Sequence, residues 1–234
     1  LPGGNALLAG LRIGTTATAQ EGLVLGGNAG TVVLDSLTVA AGPGFNAVRV
    51  DGCPQTALQD CKLIGDPGLR VANGSIAYVS RGDIDELVVE SGSTVRHAGV
   101  TPGSTNTSGG AVVQALSGVM PHVGFPTTTH SGGVLSMTVT GSPGAFYSLF
   151  LPLAPAWFDL SFLGVDMVVL IDPVLNIAFA NGVLAGGGAT VGPIPIPPTP
   201  GLVGFPFAVQ GVTVTSLTPF VGRMSNLREV VILP

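Results

Sequence analysis

The chain has 234 residues, of which 46% are hydrophobic and only 9% charged, with a formal net charge of −5 at pH 7. That length accommodates two domains and a substantial core, while the charge content lies far below the roughly one quarter of a soluble domain. Mild acidity without a basic stripe argues against nucleic-acid binding. Apolar stretches interrupted by Gly, Pro, Asn or Asp before about twenty residues leave no spanning helix.

From the N-terminus, a six-residue phrase recurs: Leu8-Ala-Gly-Leu-Arg-Ile13, Leu34-Asp-Ser-Leu-Thr-Val39, Leu58-Gln-Asp-Cys-Lys-Leu63, Val79-Ser-Arg-Gly-Asp-Ile84 and Val95-Arg-His-Ala-Gly-Val100. Positions one and six are aliphatic. Second short phrases precede the later copies: Gly22-Leu-Val-Leu25, Ala47-Val-Arg-Val50, Gly68-Leu-Arg-Val71 and Glu86-Leu-Val-Val89. Units this short cannot bury their own aliphatic face and must stack, which predicts the coils of a parallel β-helix. Position four, which varies from Leu to Gly, is expected at a bend where the coil narrows.

Stacked coils turn equivalent residues into columns about 4.8 Å apart. The outward third column reads Gly10, Ser36, Asp60, Arg81, His97, and the fifth reads Arg12, Thr38, Lys62, Asp83, Gly99. Asp60 is thus expected one coil from Arg81, and Lys62 one coil from Asp83, as a register-fixing ladder. Arg49 and Arg70 share a column despite like charge. Either Asp51 and Asp66 neutralise them, or they form a small site for an anion or acidic sugar; neutralisation is favoured. Cys53 and Cys61 are closely spaced and even in number, which suits a disulfide in an oxidising compartment. The other reading is two small core residues, because Cys61 lies in the inward fourth column.

Leu1-Pro-Gly-Gly enters the coil pattern without a cap. An uncapped coil exposes unpaired backbone, so the expectation is removed upstream sequence or a covering molecule. The Leu1–Gly14 segment, with Leu1 and Leu8, and the C-terminal Glu229–Pro234 segment, with Val230, Val231 and Ile232, are the candidates for joining copies by strand addition.

Residues 1–102 are therefore assigned to the β-helix, and 103–110 (Gly-Ser-Thr-Asn-Thr-Ser-Gly-Gly) to a flexible linker. Residues 111–234 are assigned to an antiparallel β-sandwich, jelly-roll-like. Its strand candidates are 111–116, 133–140, 145–152, 158–163, 166–171, 175–180, 188–195, 203–215 and 227–233. The Pro-rich 192–201 stretch must be an edge or a polyproline crossover. Trp157 with Phe146, Phe150, Phe158 and Phe162 is expected in the core. Fifteen of the 21 charged residues lie in the first 96 positions, with none from Ala98 to Phe158 or from Pro173 to Gly222.

The motifs Ala57-Leu-Gln-Asp-Cys-Lys-Leu-Ile-Gly65 and Gly74-Ser-Ile-Ala-Tyr-Val-Ser80 resemble secreted right-handed parallel β-helix proteins of environmental bacteria such as planctomycetes. The segments Gly201-Leu-Val-Gly204, Ala208-Val-Gln210, Ser225-Asn226 and Val231-Ile232 look like the terminal β-domain of large secreted proteins of that group. The resemblance implies an extracellular or cell-surface protein with a right-handed coil and further coils upstream.

The expected function is an extracellular structural subunit that self-assembles head-to-tail into a fibre or surface layer, because an uncharged surface needs covering. The alternative is a carbohydrate-binding or polysaccharide-degrading β-helix protein. Asp35, Asp51, Asp60, Asp66, Asp83, Asp85, Glu86 and Glu90 are scattered, so no catalytic pair, metal set or cofactor is expected. The densest group, Asp83 to Glu86, reads as a solvated turn or at most a Ca²⁺ site. Ice binding ranks last, since the outward columns are not Thr ladders.

Overall fold

A computed structural model describes residues 5–14, 20–27, 30–152, 155–160, 168–171 and 176–234. The protein is nearly all β and forms two compact units, Leu1–Gly118 and Val119–Pro234.

The first unit is a parallel β-solenoid. Its strands are β1 (Ala6–Ala9), β2 (Arg12–Gly14), β3 (Leu23–Gly26), β4 (Val32–Asp35), β5 (Thr38–Ala40), β6 (Val48–Asp51) and β7 (Thr56–Ile64). They continue with β8 (Leu69–Ala72), β9 (Ile76–Ile84), β10 (Glu86–Val89), β11 (Thr94–Ala98), β12 (Ser104–Thr107) and β13 (Val112–Ala115). One parallel sheet stacks in the order β1-β4-β7-β9-β11-β13, with β2 and β5 aligned beside the second half of β7. The opposite sheet stacks β3-β6-β8-β10-β12.

The first four phrases fall in register as expected. Leu8, Leu34, Leu58 and Val79 form one column, and Ile13, Val39, Leu63 and Ile84 another. Leu34, Leu58, Val39 and Leu63 are all buried in the solenoid core. The fifth phrase slips by two residues: Val79 faces His97, and Val95 faces Ala77. The step between coils is 26 residues from Asn5 to Thr31 and 18 from Ser75 to Ser93.

The reason for the slip lies in how each coil turns. Gly10, Ser36, Asp60, Arg81 and Gly99 occupy one corner of successive coils, all with φ between 52° and 65°. A single left-handed residue bends the chain there, and at three of these corners the residue after it is buried: Leu37, Cys61 and Val100. Position three is thus a backbone requirement, and its fifth member is Gly99, not His97. A second left-handed column (Gly27, Gly52, Asn73, Ser91, Gly109) makes the other corner. Inside that corner the Ser75 hydroxyl accepts from the Cys53 amide at 3.0 Å, and the Ser93 hydroxyl accepts from the Ser75 amide at 3.2 Å. The buried polar column is therefore satisfied.

Two expectations fail here. Residues 103–110 are not a linker: β12 pairs in parallel with β10, and β13 pairs with β11, so the solenoid runs to Gly118. The glycines serve close approach and corners; a Cβ on Gly103 would sit 2.4 Å from the Asp85 carbonyl oxygen. Nor is there a disulfide. Cys53 and Cys61 are both free and buried at opposite corners, with the extended first half of β7 between them. A bridge requires Cα atoms within about 7 Å. The Cys61 thiol lies 3.3 Å from its Gln59 carbonyl acceptor, and burial pushes it up to about 11, which makes it an inert core group.

The second unit comprises β14 (His122–Gly124), β15 (Thr128–His130), β16 (Val134–Thr140), β17 (Phe146–Pro152), β18 (Pro155–Asp159) and β19 (Val168–Ile171). It continues with β20 (Asn176–Val183), β21 (Gly188–Pro195), β22 (Pro206–Leu217) and β23 (Phe220–Leu233). A three-stranded sheet β14-β16-β21 and a five-stranded sheet β15-β23-β22-β17-β20 share one core, including Val123, Met137, Leu149, Val209 and Ile232. The antiparallel pairs β16·β21, β17·β20 and β18·β19 are nested, the pattern of a folded ribbon, and β22 pairs on the other side of β17. This is the jelly-roll-like sandwich expected.

The Pro-bearing strand β21 lies at a sheet edge, where a missing amide donor costs no ladder bond. Segment 111–116 belongs to the solenoid, and β14 and β15 were not anticipated. The aromatic core is corrected too: Phe146 is 46% and Phe158 40% exposed, Trp157 and Phe150 are half-buried, and Phe162 lies outside the described residues. Aliphatic residues with Phe125 and Tyr147 fill the core instead.

Candidate functional site

Arg49 and Arg70 do face each other on β6 and β8. Each guanidinium is paired with a carboxylate. Arg49 Nη2 lies 2.6 Å from Asp51 Oδ2, and its Nη1 3.6 Å from Glu21 Oε1. Arg70 donates through Nε and Nη2 to Glu90 Oε2 at 3.1 and 2.8 Å. Asp51 is therefore the neutraliser expected for Arg49, whereas Glu90, one coil on, replaces Asp66 for Arg70. Asn46 donates to Glu21 at 2.6 Å, and Asn73 donates to Asp51. Three carboxylates surround two guanidiniums, so the ladder presents no spare positive charge to an anion or acidic sugar.

The other ladder behaves similarly. Arg81 Nε meets Asp60 Oδ1 at 2.9 Å, and Lys62 stands opposite Asp83. Asp85 Oδ2 accepts the Gly65 amide at 3.2 Å, and Glu86 Oε1 accepts Asn106 at 2.5 Å, so these two acids serve separate partners. Among the described residues no group of three or more His, Cys, Asp or Glu could hold a metal ion.

The Asn73 amide, and after it the Arg49 guanidinium, hold the Asp51 carboxyl below its ordinary value of 3.8. A lowered folded-state pKa stabilises above the unfolded value, and that contribution is lost as pH falls through the folded one. Burial raises Glu229 on β23 above 4.5, which acts in the opposite sense: its contribution is present below 4.5 and lost as pH rises through the folded value. Urea denaturation from about pH 5 downward should show the solenoid weakening by less than ~1 kcal/mol from this half-buried, solvent-screened site. Asp51→Asn should flatten that limb; an unchanged slope would remove Asp51 from the ladder's energetics.

The assembly residues are placed as follows. Leu1 lies outside the described residues. Leu8 on β1 is half-buried and packs on the solenoid core. Val230 and Ile232 are 0% and 1% exposed, and β23 is flanked by β15 and β22. The C-terminal segment is already paired within its own chain, Glu229 to Val231 with β22 and Val231 to Leu233 with β15.

A different surface emerges on the five-stranded sheet. Val183, Phe146 and Val214 stand side by side across β20, β17 and β22. The row continues onto the β22–β23 hairpin, where Leu217, Phe220 and Val221 are 78%, 46% and 42% exposed. A shallow groove runs past Gly144, Phe146, Thr215, Ser216 and Leu217. None of these side chains is charged. Sequence reasoning missed this strip because it ended the strand at 215 and resumed at 227; the Thr218-Pro219 turn flanked by Leu217 and Phe220 was the available signal.

No family model, curated protein or solved structure matches the chain. No helix among the described residues is long and apolar enough to cross a membrane.

Proposed function

We propose that the protein is an extracellular structural subunit whose sandwich is covered by further copies of itself. The observation that carries this reading is the uncharged apolar strip Val183–Phe146–Val214 with Leu217 and Phe220. Soluble monomers scatter apolar residues singly, and a contiguous exposed set marks a contact surface.

A head-to-tail contact that continued both parallel sheets of the solenoid would be heterologous and would propagate without closing.

The strip is tested by Leu217→Lys combined with Phe220→Lys, both at exposed hairpin positions. Sedimentation velocity should show association requiring at least ~100-fold higher concentration than wild type, because each ammonium loses hydration in an apolar contact. Equal association by both proteins would overturn the reading.

A further inference from the structure

Between the two sheets of the sandwich lies a cavity of about 320 Å³. Met137 and Ile194 line it from the three-stranded sheet, Ile177 and Phe179 from β20, and Phe205 and Phe207 from the segment entering β22. Every residue lining it is Leu, Met, Ile, Phe, Pro or Val. The neighbouring core is filled: Leu149, Val123 and Val230 are 0% exposed and Ile232 1%. Ile177 and Phe205, 56% and 53% exposed, mark where it reaches solvent. The Phe205 and Phe207 rings stand 6.4 Å apart at 44° and form part of its wall.

From this geometry we infer that the cavity binds a free, uncharged, hydrocarbon-rich small molecule of about a dozen carbon atoms. Size sets the upper bound: an apolar cavity of ~150 Å³ takes one benzene, and this one is roughly twice as large. Lining chemistry sets the class. No side chain here can hydrogen-bond or carry charge, so an ionised carboxylate or ammonium drawn inside would remain unpartnered. A neutral chain or ring system loses only its contact with water. The site is separate from the self-association strip, since none of Phe146, Val183, Leu217 and Phe220 lines it.

Calorimetric titration of the full chain with n-hexanol, n-octanol, n-decanol and n-dodecanol tests the inference. One saturable site per chain is expected, tightening about fourfold per added methylene and levelling off once the pocket is full. At about pH 8, n-decanoate should bind at least ~100-fold more weakly than n-decanol. Ile177→Glu, at the exposed rim on an edge strand, should weaken n-decanol at least ~10-fold. Absence of saturable binding for every alkanol, equal affinity for decanol and decanoate, or unaltered decanol affinity in Ile177→Glu would each overturn it. The alcohol series uses wild-type protein, so the test stands even if the variant misfolds.

Discussion

Replacing Gly82 by Ala is expected to destabilise the solenoid by about 4 kcal/mol or more, near the top of the range for single substitutions. Gly82 has φ of +118°, and a Cβ there would lie 2.1 Å from the Cys61 carbonyl oxygen and 2.9 Å from the Cys61 nitrogen. Both are backbone atoms of the preceding coil, so no side-chain rotation relieves the clash and the coils must part. Burial is lost with them, because Leu63 and Ile84 share a column two residues further on. Gly99→Ala is the internal control. Its φ is +63° and its nearest foreign atom is Arg81 Cγ at 3.5 Å, so only the left-handed penalty of about 1–2 kcal/mol applies. Urea denaturation followed by far-ultraviolet circular dichroism measures both. Equal losses in the two variants would mean that coil contact at Gly82 is not the constraint.

Asn226→Leu should destabilise the sandwich by about 2–4 kcal/mol despite its similar volume. Asn226 is 3% exposed on β23, in the five-stranded sheet. Its Oδ1 accepts the Val123 amide at 2.8 Å and its Nδ2 donates to the Val123 carbonyl at 3.1 Å. Val123 belongs to β14 of the other sheet, so one side chain joins the two layers and satisfies both polar groups of a buried peptide unit. Leucine leaves both without partners. Gln210, fully buried on β22, makes the comparable link from the Leu170 amide at 2.9 Å to the Ser225 carbonyl at 3.0 Å. Hydrogen exchange at the Val123 amide should accelerate in the variant along with the stability loss. Unchanged exchange and an unchanged midpoint would show that β14 is held by β16 alone.

The solenoid was legible because its signal is one-sided. Leu8, Leu34, Leu58 and Val79 recur on an inward column, and their aliphatic character survives every coil. The fifth coil misled because Val95 and Val100 imitate the phrase, whereas the corner is fixed by a backbone angle at Gly99 that hydropathy does not report. The last rung looked like a linker for a related reason: Ser104–Thr107 is exposed along its whole length and so carries no aliphatic mark. In the sandwich, alternation located most strands, but apolar residues occupy both faces. Phe146 and Tyr147 are adjacent and aromatic, yet one is exposed and the other buried. With no charged residue between Ala98 and Phe158 to mark the outside, the sequence does not say which face is which. Arg70 found Glu90 across a coil step, a pairing fixed by register and absent from local sequence.

Electron microscopy of negatively stained wild-type protein, concentrated and free of glycans, tests self-association most directly. Filaments or sheets with a regular subunit repeat are the predicted result, dispersing in the Leu217→Lys, Phe220→Lys protein. Separate single particles at every concentration would contradict it.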